Sequence, residues 1–219
     1  MKLVQHIKVA EIIANKLDNE LKDGFKVNRV LFYLGSIAPD LNCVYPAHRL
    51  STTSKRFQNR VKRVDKYENS AIKSFTLGII THYVCDYFCY AHNIESLGIP
   101  HKNYETGLYK YFLSHKQLFT DSDGLLKEWE EAKKVMQEKC MAINGSMDID
   151  LHAEMIIEQI RILNNNYMNS SLKKEDRVKE AWTKNKYQWN HDLDYAIFMC
   201  TSVLKLVVEP VRCVSSVMS

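Results

Sequence analysis

Histidines and carboxylates are concentrated in one stretch of the chain, at spacings that suit metal binding. His82 and Asp86 are four residues apart, as are His101 and Glu105, and His92 lies between the two pairs. On a helix, residues at i and i+4 share one face and are about one turn apart. Imidazole nitrogen and carboxylate oxygen are both common zinc ligands. The spacing therefore predicts two half-sites for a metal ion in this stretch.

The residues around His82 and Asp86 strengthen that prediction. They lie in an apolar segment, where a buried carboxylate costs several kcal/mol unless it is paired or bound to a metal. No lysine or arginine occurs between Gly78 and His101, and the sequence supplies histidines there instead. A single histidine on an apolar helix is more often a hydrogen-bonded core residue. Read alone, His6 is therefore interpreted as such a core residue.

The elements that must position these groups are predicted to be helices. Glycine (7) and proline (4) are scarce and apolar residues recur in long periodic segments, which favours an all-α fold. We expect a single all-helical domain over 1–219, with the metal-site residues in 1–110 and a helical scaffold in 111–219. The predicted elements are helices over Leu3–Leu21 and about Val27–Pro39, a loop over Asp40–Thr53, and helices over about Asp65–Tyr90, His101–Leu113, Leu125–Ala142, Asp148–Met168 and Lys174–Val208, the last with a candidate break near Trp189.

Charge and hydropathy exclude several classes of protein. The net charge of +4 is mild and no arginine-rich stripe accompanies it, so no stable nucleic-acid partner is expected. The basic cluster Ser54–Arg63 reads as a solvated helix face, with a phosphate or membrane-surface patch as the alternative. Lys8 and Glu11 interrupt what would be the apolar part of a signal peptide, and no run of 18 uncharged apolar residues occurs. We therefore expect a cytoplasmic chain without a membrane span and with at most peripheral membrane contact.

Several segments together resemble the zinc-dependent phospholipase C family, the bacterial enzymes that include phosphatidylcholine-hydrolysing and toxin members. The resemblance covers about residues 1–110. It rests on His6 in the first helix, the segment Gly35–Asp40 (GSIAPD), His48, the segment Leu77–Asp86 (LGIITHYVCD), the tripeptide Ala91–Asn93 and the segment His101–Glu105 (HKNYE).

The resemblance implies an all-helical cleft that holds three zinc ions. Carried over to this sequence, the first ion is held by Asp40, His48, His82 and Asp86, and the second by His92, His101 and Glu105, while Asp86 bridges to a third ion on His6. Secreted members complete the third site with the amino and carbonyl groups of an N-terminal tryptophan, where this chain has Met1. Five helical residues rise only about 7.5 Å, so we expect two zinc sites and a weak or absent third.

The implied reaction is phosphodiester hydrolysis, in which a metal-activated water attacks phosphorus. Asp40 is then both a metal ligand and the candidate general base. A glycerophospholipid would yield diacylglycerol and a phosphorylated head group, and Tyr45 and Tyr83 could hold a choline by cation–π attraction. Another phosphodiester substrate stays open. Two other functions also stay open: a single-strand nuclease or nucleotide phosphodiesterase on the same architecture, and a metal-binding scaffold without catalysis.

Overall fold

The computed structural model describes residues 1–20, 25–41, 49–64, 66–67, 69–93, 100–115, 125–131, 133–134, 149–171 and 185–208. The expected all-α fold is confirmed, because these residues form helices joined by turns and connecting segments, without a strand. The helices are α1 (Leu3–Glu20), α2 (Arg29–Leu41), α3 (Leu50–Val64), α4 (Ser70–Tyr87), α5 (Tyr90–Asn93), α6 (Pro100–Ser114), α7 (Ile149–Ser170) and α8 (Lys186–Val208). Residues 125–131 and 133–134 are helical as well.

Helix α4 is the centre of the fold. Every residue from Thr76 to Tyr87 is buried, as expected of a helix surrounded by other helices. It packs against α1, α2, α3 and α8, and α8 in turn contacts α1, α6 and α7. None of the described helices has both the length and the apolar content that a membrane crossing demands.

Two predicted boundaries in the first half are wrong. The predicted loop over Asp40–Thr53 is too long at both ends, since α2 continues through Pro39 to Leu41 and α3 already begins at Leu50. Proline removes one N–H, and in the last turn of a helix that loss affects a single backbone hydrogen bond. Because α3 spans Leu50–Val64, the basic cluster Ser54–Arg63 lies on this helix, whose residues Phe57 and Val61 are buried.

Two further helix predictions are also wrong. The long helix expected from Asp65 begins only at Ser70, because the Asn69 side chain caps it by accepting hydrogen bonds from the backbone N–H groups of Ala71 and Ile72. Helix α8 continues without a break across Trp189. No proline or glycine interrupts the sequence there, and the Trp189 ring is fixed against Gly107 of α6, where an added Cβ would lie 2.2 Å from it.

Candidate metal centre

The site begins at a close contact between α2 and α4. A Cβ added at Gly35 would lie 2.1 Å from the carbonyl oxygen of Phe75, and one at Gly78 would lie 2.2 Å from that of Phe32. Only glycine allows two backbones to approach so closely. This contact brings His82 of α4 to α2, where its Nδ1 lies 2.9 Å from the carbonyl oxygen of Ser36.

A first cluster of candidate ligands, called here the first group, consists of His6, Asp40 and His82. One ligand atom from each lies within 4.8 Å of the others. Asp40 Oδ2 is 3.8 Å from His6 Nε2, and Asp40 Oδ1 is 3.7 Å from His82 Nε2. The two imidazole rings stack with centroids 4.1 Å apart. Asp86 borders the group, with its carboxylate 3.4 Å from His6 Nε2 and 3.3 Å from His82 Nε2.

A second cluster, called here the second group, consists of His92, His101 and Glu105. Glu105 Oε1 lies 3.2 Å from His92 Nε2 and 3.0 Å from His101 Nε2. His101 is the most accessible member, with 42% of its side chain exposed. Asp86 connects the two groups, since its Oδ1 is 3.6 Å from His92 Nε2. Both groups therefore border one buried carboxylate.

The α-amino group of Met1 lies between the two groups. It is 2.8 Å from Asp86 Oδ1, 2.9 Å from His92 Nε2 and 3.1 Å from Glu105 Oε1. The short helical rise between Met1 and His6 predicts that the amine is kept from the site. Side chains on a helix lean toward its N-terminus, which shortens the distance that His6 must bridge. His6 Nε2 and His92 Nε2 lie 3.4 Å and 3.6 Å from the same atom, Asp86 Oδ1, so both groups meet there.

These distances fit metal ligands. Two ligand atoms on a tetrahedral zinc are about 3.4 Å apart, close to the separations between these imidazole nitrogens and carboxylate oxygens. A carbonyl oxygen only accepts hydrogen bonds, so His82 must donate its Nδ1 proton to Ser36, which leaves Nε2 facing Asp40 and Asp86. Neither ring nitrogen of the buried His6 has a hydrogen-bond partner. A cation among these atoms would give His6 Nε2 and His82 Nε2 a partner, and ligating histidines usually anchor their second nitrogen as His82 Nδ1 is anchored on Ser36.

Charge and burial oppose each other throughout the centre. Burial lowers the pKa of His6 to about 3 and that of His92 to about 4, so both imidazoles are neutral near pH 7, as ligands must be. Burial alone would raise the pKa of Asp86, but His92 and the Met1 ammonium hold it well below its ordinary value. Burial likewise opposes the charge on Met1, and Asp86 keeps the pKa of that amine well above its ordinary value.

Of the residues singled out from the sequence, the structure brings seven into this centre: His6, Asp40, His82, Asp86, His92, His101 and Glu105. His48 and Tyr45 lie outside the described residues. Tyr83 is only 7% exposed and stacks on Tyr87 with ring centroids 6.4 Å apart, so little of its surface faces solvent. The short helical rise to His6 predicts that the Met1 amine contributes weakly or not at all, but the amine lies 2.8 Å from Asp86 Oδ1.

The described residues thus form an all-helical fold with two neighbouring groups of histidines and carboxylates, each of which could hold a metal ion. The family model for zinc-dependent phospholipase C matches residues 5–167, and the chain belongs to that family. This membership supports a phospholipase C-like hydrolase function that depends on zinc. No curated protein and no solved structure matches the chain.

Proposed function

We propose that this chain is a zinc-dependent phosphodiesterase that hydrolyses a phospholipid to diacylglycerol and a phosphorylated head group. The observation that carries this proposal is the convergence of the first and second groups on the buried carboxylate of Asp86. A single metal would not need two such groups. Paired metals suit a phosphodiester, whose attacking and leaving oxygens both require stabilisation.

The proposed ligand set is the one that the family resemblance implies, and the distances among Asp40, His82 and Asp86 are compatible with it, whereas His48 lies outside the described residues. Asp40, His82 and Asp86, together with His48, would hold one zinc ion, and the second group would hold another. His6 and Asp86 would hold a third ion, to which the α-amine of Met1 is close enough to contribute. An amine ligates only when it is neutral, so metal binding there would release a proton.

The proposed chemistry separates the roles of the carboxylates. Zinc bound in this centre would neutralise charge on the phosphoryl oxygens and lower the pKa of a bound water. Asp86 is completely buried and can act only as a ligand, whereas 28% of the Asp40 side chain is exposed. Asp40 is thus the carboxylate that a water molecule can reach from solvent, and it would accept the proton of the attacking water at an Oδ atom.

An apolar surface beside Asp40 supports a lipid substrate. Val30, Leu34 and Leu41 are spaced four and seven residues apart, which places them on one face of α2. Their exposed fractions are 68%, 47% and 63%, and Leu41 directly follows Asp40. Acyl chains could contact this surface while the phosphodiester reaches the metals. A nucleic acid would instead require aromatic faces on which bases stack.

The experiment is a substrate screen with the purified chain and zinc, using phosphatidylcholine vesicles, a short-chain phospholipid below its micellar concentration, and single-stranded DNA. We expect turnover of the phospholipids, and we expect Asp40→Asn to reduce it by about 100-fold or more while zinc content is retained. Asp18→Asn is the matched control, because Asp18 is 27% exposed and lies at the far end of α1. Cleavage of DNA alone would indicate a nuclease, and no cleavage at all would indicate a scaffold.

A further inference from the structure

Asp192 of α8 is a fully buried carboxylate outside the part of the chain that the family model covers. Its Oδ2 accepts hydrogen bonds from the Tyr90 backbone N–H at 3.0 Å and from the Tyr104 hydroxyl at 2.7 Å. Its Oδ1 accepts from the Tyr167 hydroxyl at 2.7 Å and from Gln188 Nε2 at 2.8 Å. Four donors offset the cost of burying this charge.

The two donors to Oδ2 belong to the segments that carry the second group. Tyr90 begins α5, and His92 is two residues further along that helix. Tyr104 lies on α6, directly before Glu105. A four-residue helix has little stability of its own, so its position depends on such contacts. One oxygen of Asp192 thus fixes α5 and α6 relative to α8.

The first group is supported differently. Its residues lie on α1, α2 and α4, and His82 is oriented by the carbonyl of Ser36. The four donors to Asp192 come one each from α5, α6, α7 and α8, not from those three helices. A change at Asp192 Oδ2 should therefore displace the second group and leave the first in place.

We propose that Asp192 is a positioning residue for the second group: by accepting from Tyr90 N–H and Tyr104 O–H, its Oδ2 holds His92 and Glu105 at the separation that a shared metal ion requires. This inference rests on the proposed function only in that the second group binds zinc. Outer hydrogen-bond partners of metal ligands typically contribute tenfold to 100-fold in metal affinity.

Two single-hydroxyl deletions at the same carboxylate test the inference. Tyr104→Phe removes a donor to Oδ2, and Tyr167→Phe removes one to Oδ1, whose donors lie on α7 and α8, helices that carry no residue of the second group. The readout is a zinc titration of the metal-stripped full chain against a chromophoric chelator. His101→Ala, at an accessible position, identifies which binding step belongs to the second group.

We expect Tyr104→Phe and Asp192→Asn to weaken the step that His101→Ala removes by about tenfold, with the remaining steps unchanged. Tyr167→Phe should change every step by less than about twofold. Should Asp192→Asn fail to fold, the two tyrosine variants decide. The inference is overturned if Tyr104→Phe leaves the second-group step intact, if all steps weaken together, if Tyr167→Phe acts as strongly, or if the wild-type chain lacks that step. If the wild-type chain shows this titration pattern but hydrolyses no phosphodiester, the proposed function is overturned and the inference stands.

Discussion

Gly78→Ala tests whether the close contact between α2 and α4 builds the first group. At an ordinary helix interior this substitution stabilises a protein by about 1 kcal/mol. Here the added Cβ would lie 2.2 Å from the carbonyl oxygen of Phe32, whereas ordinary contact begins at 3.4 Å. The two helices must therefore separate by about 1.2 Å. The hydrogen bond from His82 Nδ1 to Ser36, now 2.9 Å, would lengthen to about 4 Å and break.

The expected cost follows from these terms. Overpacking costs about 1–3 kcal/mol, and an unsatisfied buried hydrogen-bonding group costs about 1–3 kcal/mol more, against the gain of about 1 kcal/mol in helix propensity. We expect a net loss of about 3 kcal/mol, which lowers the Tm of the metal-free chain by about 6–12 °C. Zinc affinity, measured in a His101→Ala background so that the first group is observed, should fall as well.

The assay is thermal unfolding followed by circular dichroism, with Ile72→Ala as the reference on the same helix. Ile72 is 48% exposed, so its truncation should change the free energy of unfolding by only about 0.5 kcal/mol. A Tm for Gly78→Ala that equals or exceeds that of the wild-type chain would refute the reasoning. So would unchanged zinc affinity at the first group, because the contact would then not position His82.

Three further predictions concern the metal centre. The free energy of unfolding of the metal-free chain should fall as the pH drops from about 7 to about 5. Burial lowers the folded-state pKa of His6 to about 3 and that of His92 to about 4, so these histidines take up protons first in the unfolded chain. Burial raises the pKa of Asp192 and of Asp194 to about 6, so their protonation in the folded chain offsets part of this loss. Urea unfolding at about pH 7 and about pH 5 checks the prediction, and equal stability would contradict it. Nα-acetylation of a chain that starts at Met1 should weaken zinc binding at least tenfold, because the acetylated nitrogen can no longer act as a ligand beside Asp86. Chelator titration compares the zinc affinity of the acetylated and the free chain. Equal affinities would show that the Met1 amine is not involved. Leu34→Glu combined with Leu41→Glu should reduce turnover of phosphatidylcholine vesicles several-fold, since a vesicle surface contacts both exposed side chains. Turnover of a monomeric short-chain phospholipid should stay unchanged. An equal loss on both substrates would place the defect in the metal centre.

The local parts of this centre could be predicted from residue spacing, whereas the long-range convergence of His6, Asp40 and Asp86 was implied only by the family resemblance. The pairs His82 with Asp86 and His101 with Glu105 are each one helical turn apart, so their spacing alone indicates a shared face. The contact of Met1 with Asp86 joins residues 85 positions apart and depends on how α1 packs against α4. No local pattern encodes that packing.

Asp192 shows the same limit in the second half of the chain. It lies in a segment that reads as scaffold, and its role becomes visible only when its 102-residue separation from Tyr90 closes to 3.0 Å. The helix boundaries failed for a different reason. Caps such as Asn69 and the tolerance of the last turn of α2 for Pro39 depend on a few backbone hydrogen bonds, to which hydrophobic periodicity is insensitive.

The most direct test of this account is the zinc content of the full chain purified without added metal, determined by elemental analysis against quantitative amino-acid analysis. The convergence of the first and second groups on Asp86 predicts about two or more zinc ions per chain. A content below about one ion per chain would contradict a multi-metal centre, and the proposed phosphodiester hydrolysis would fall with it.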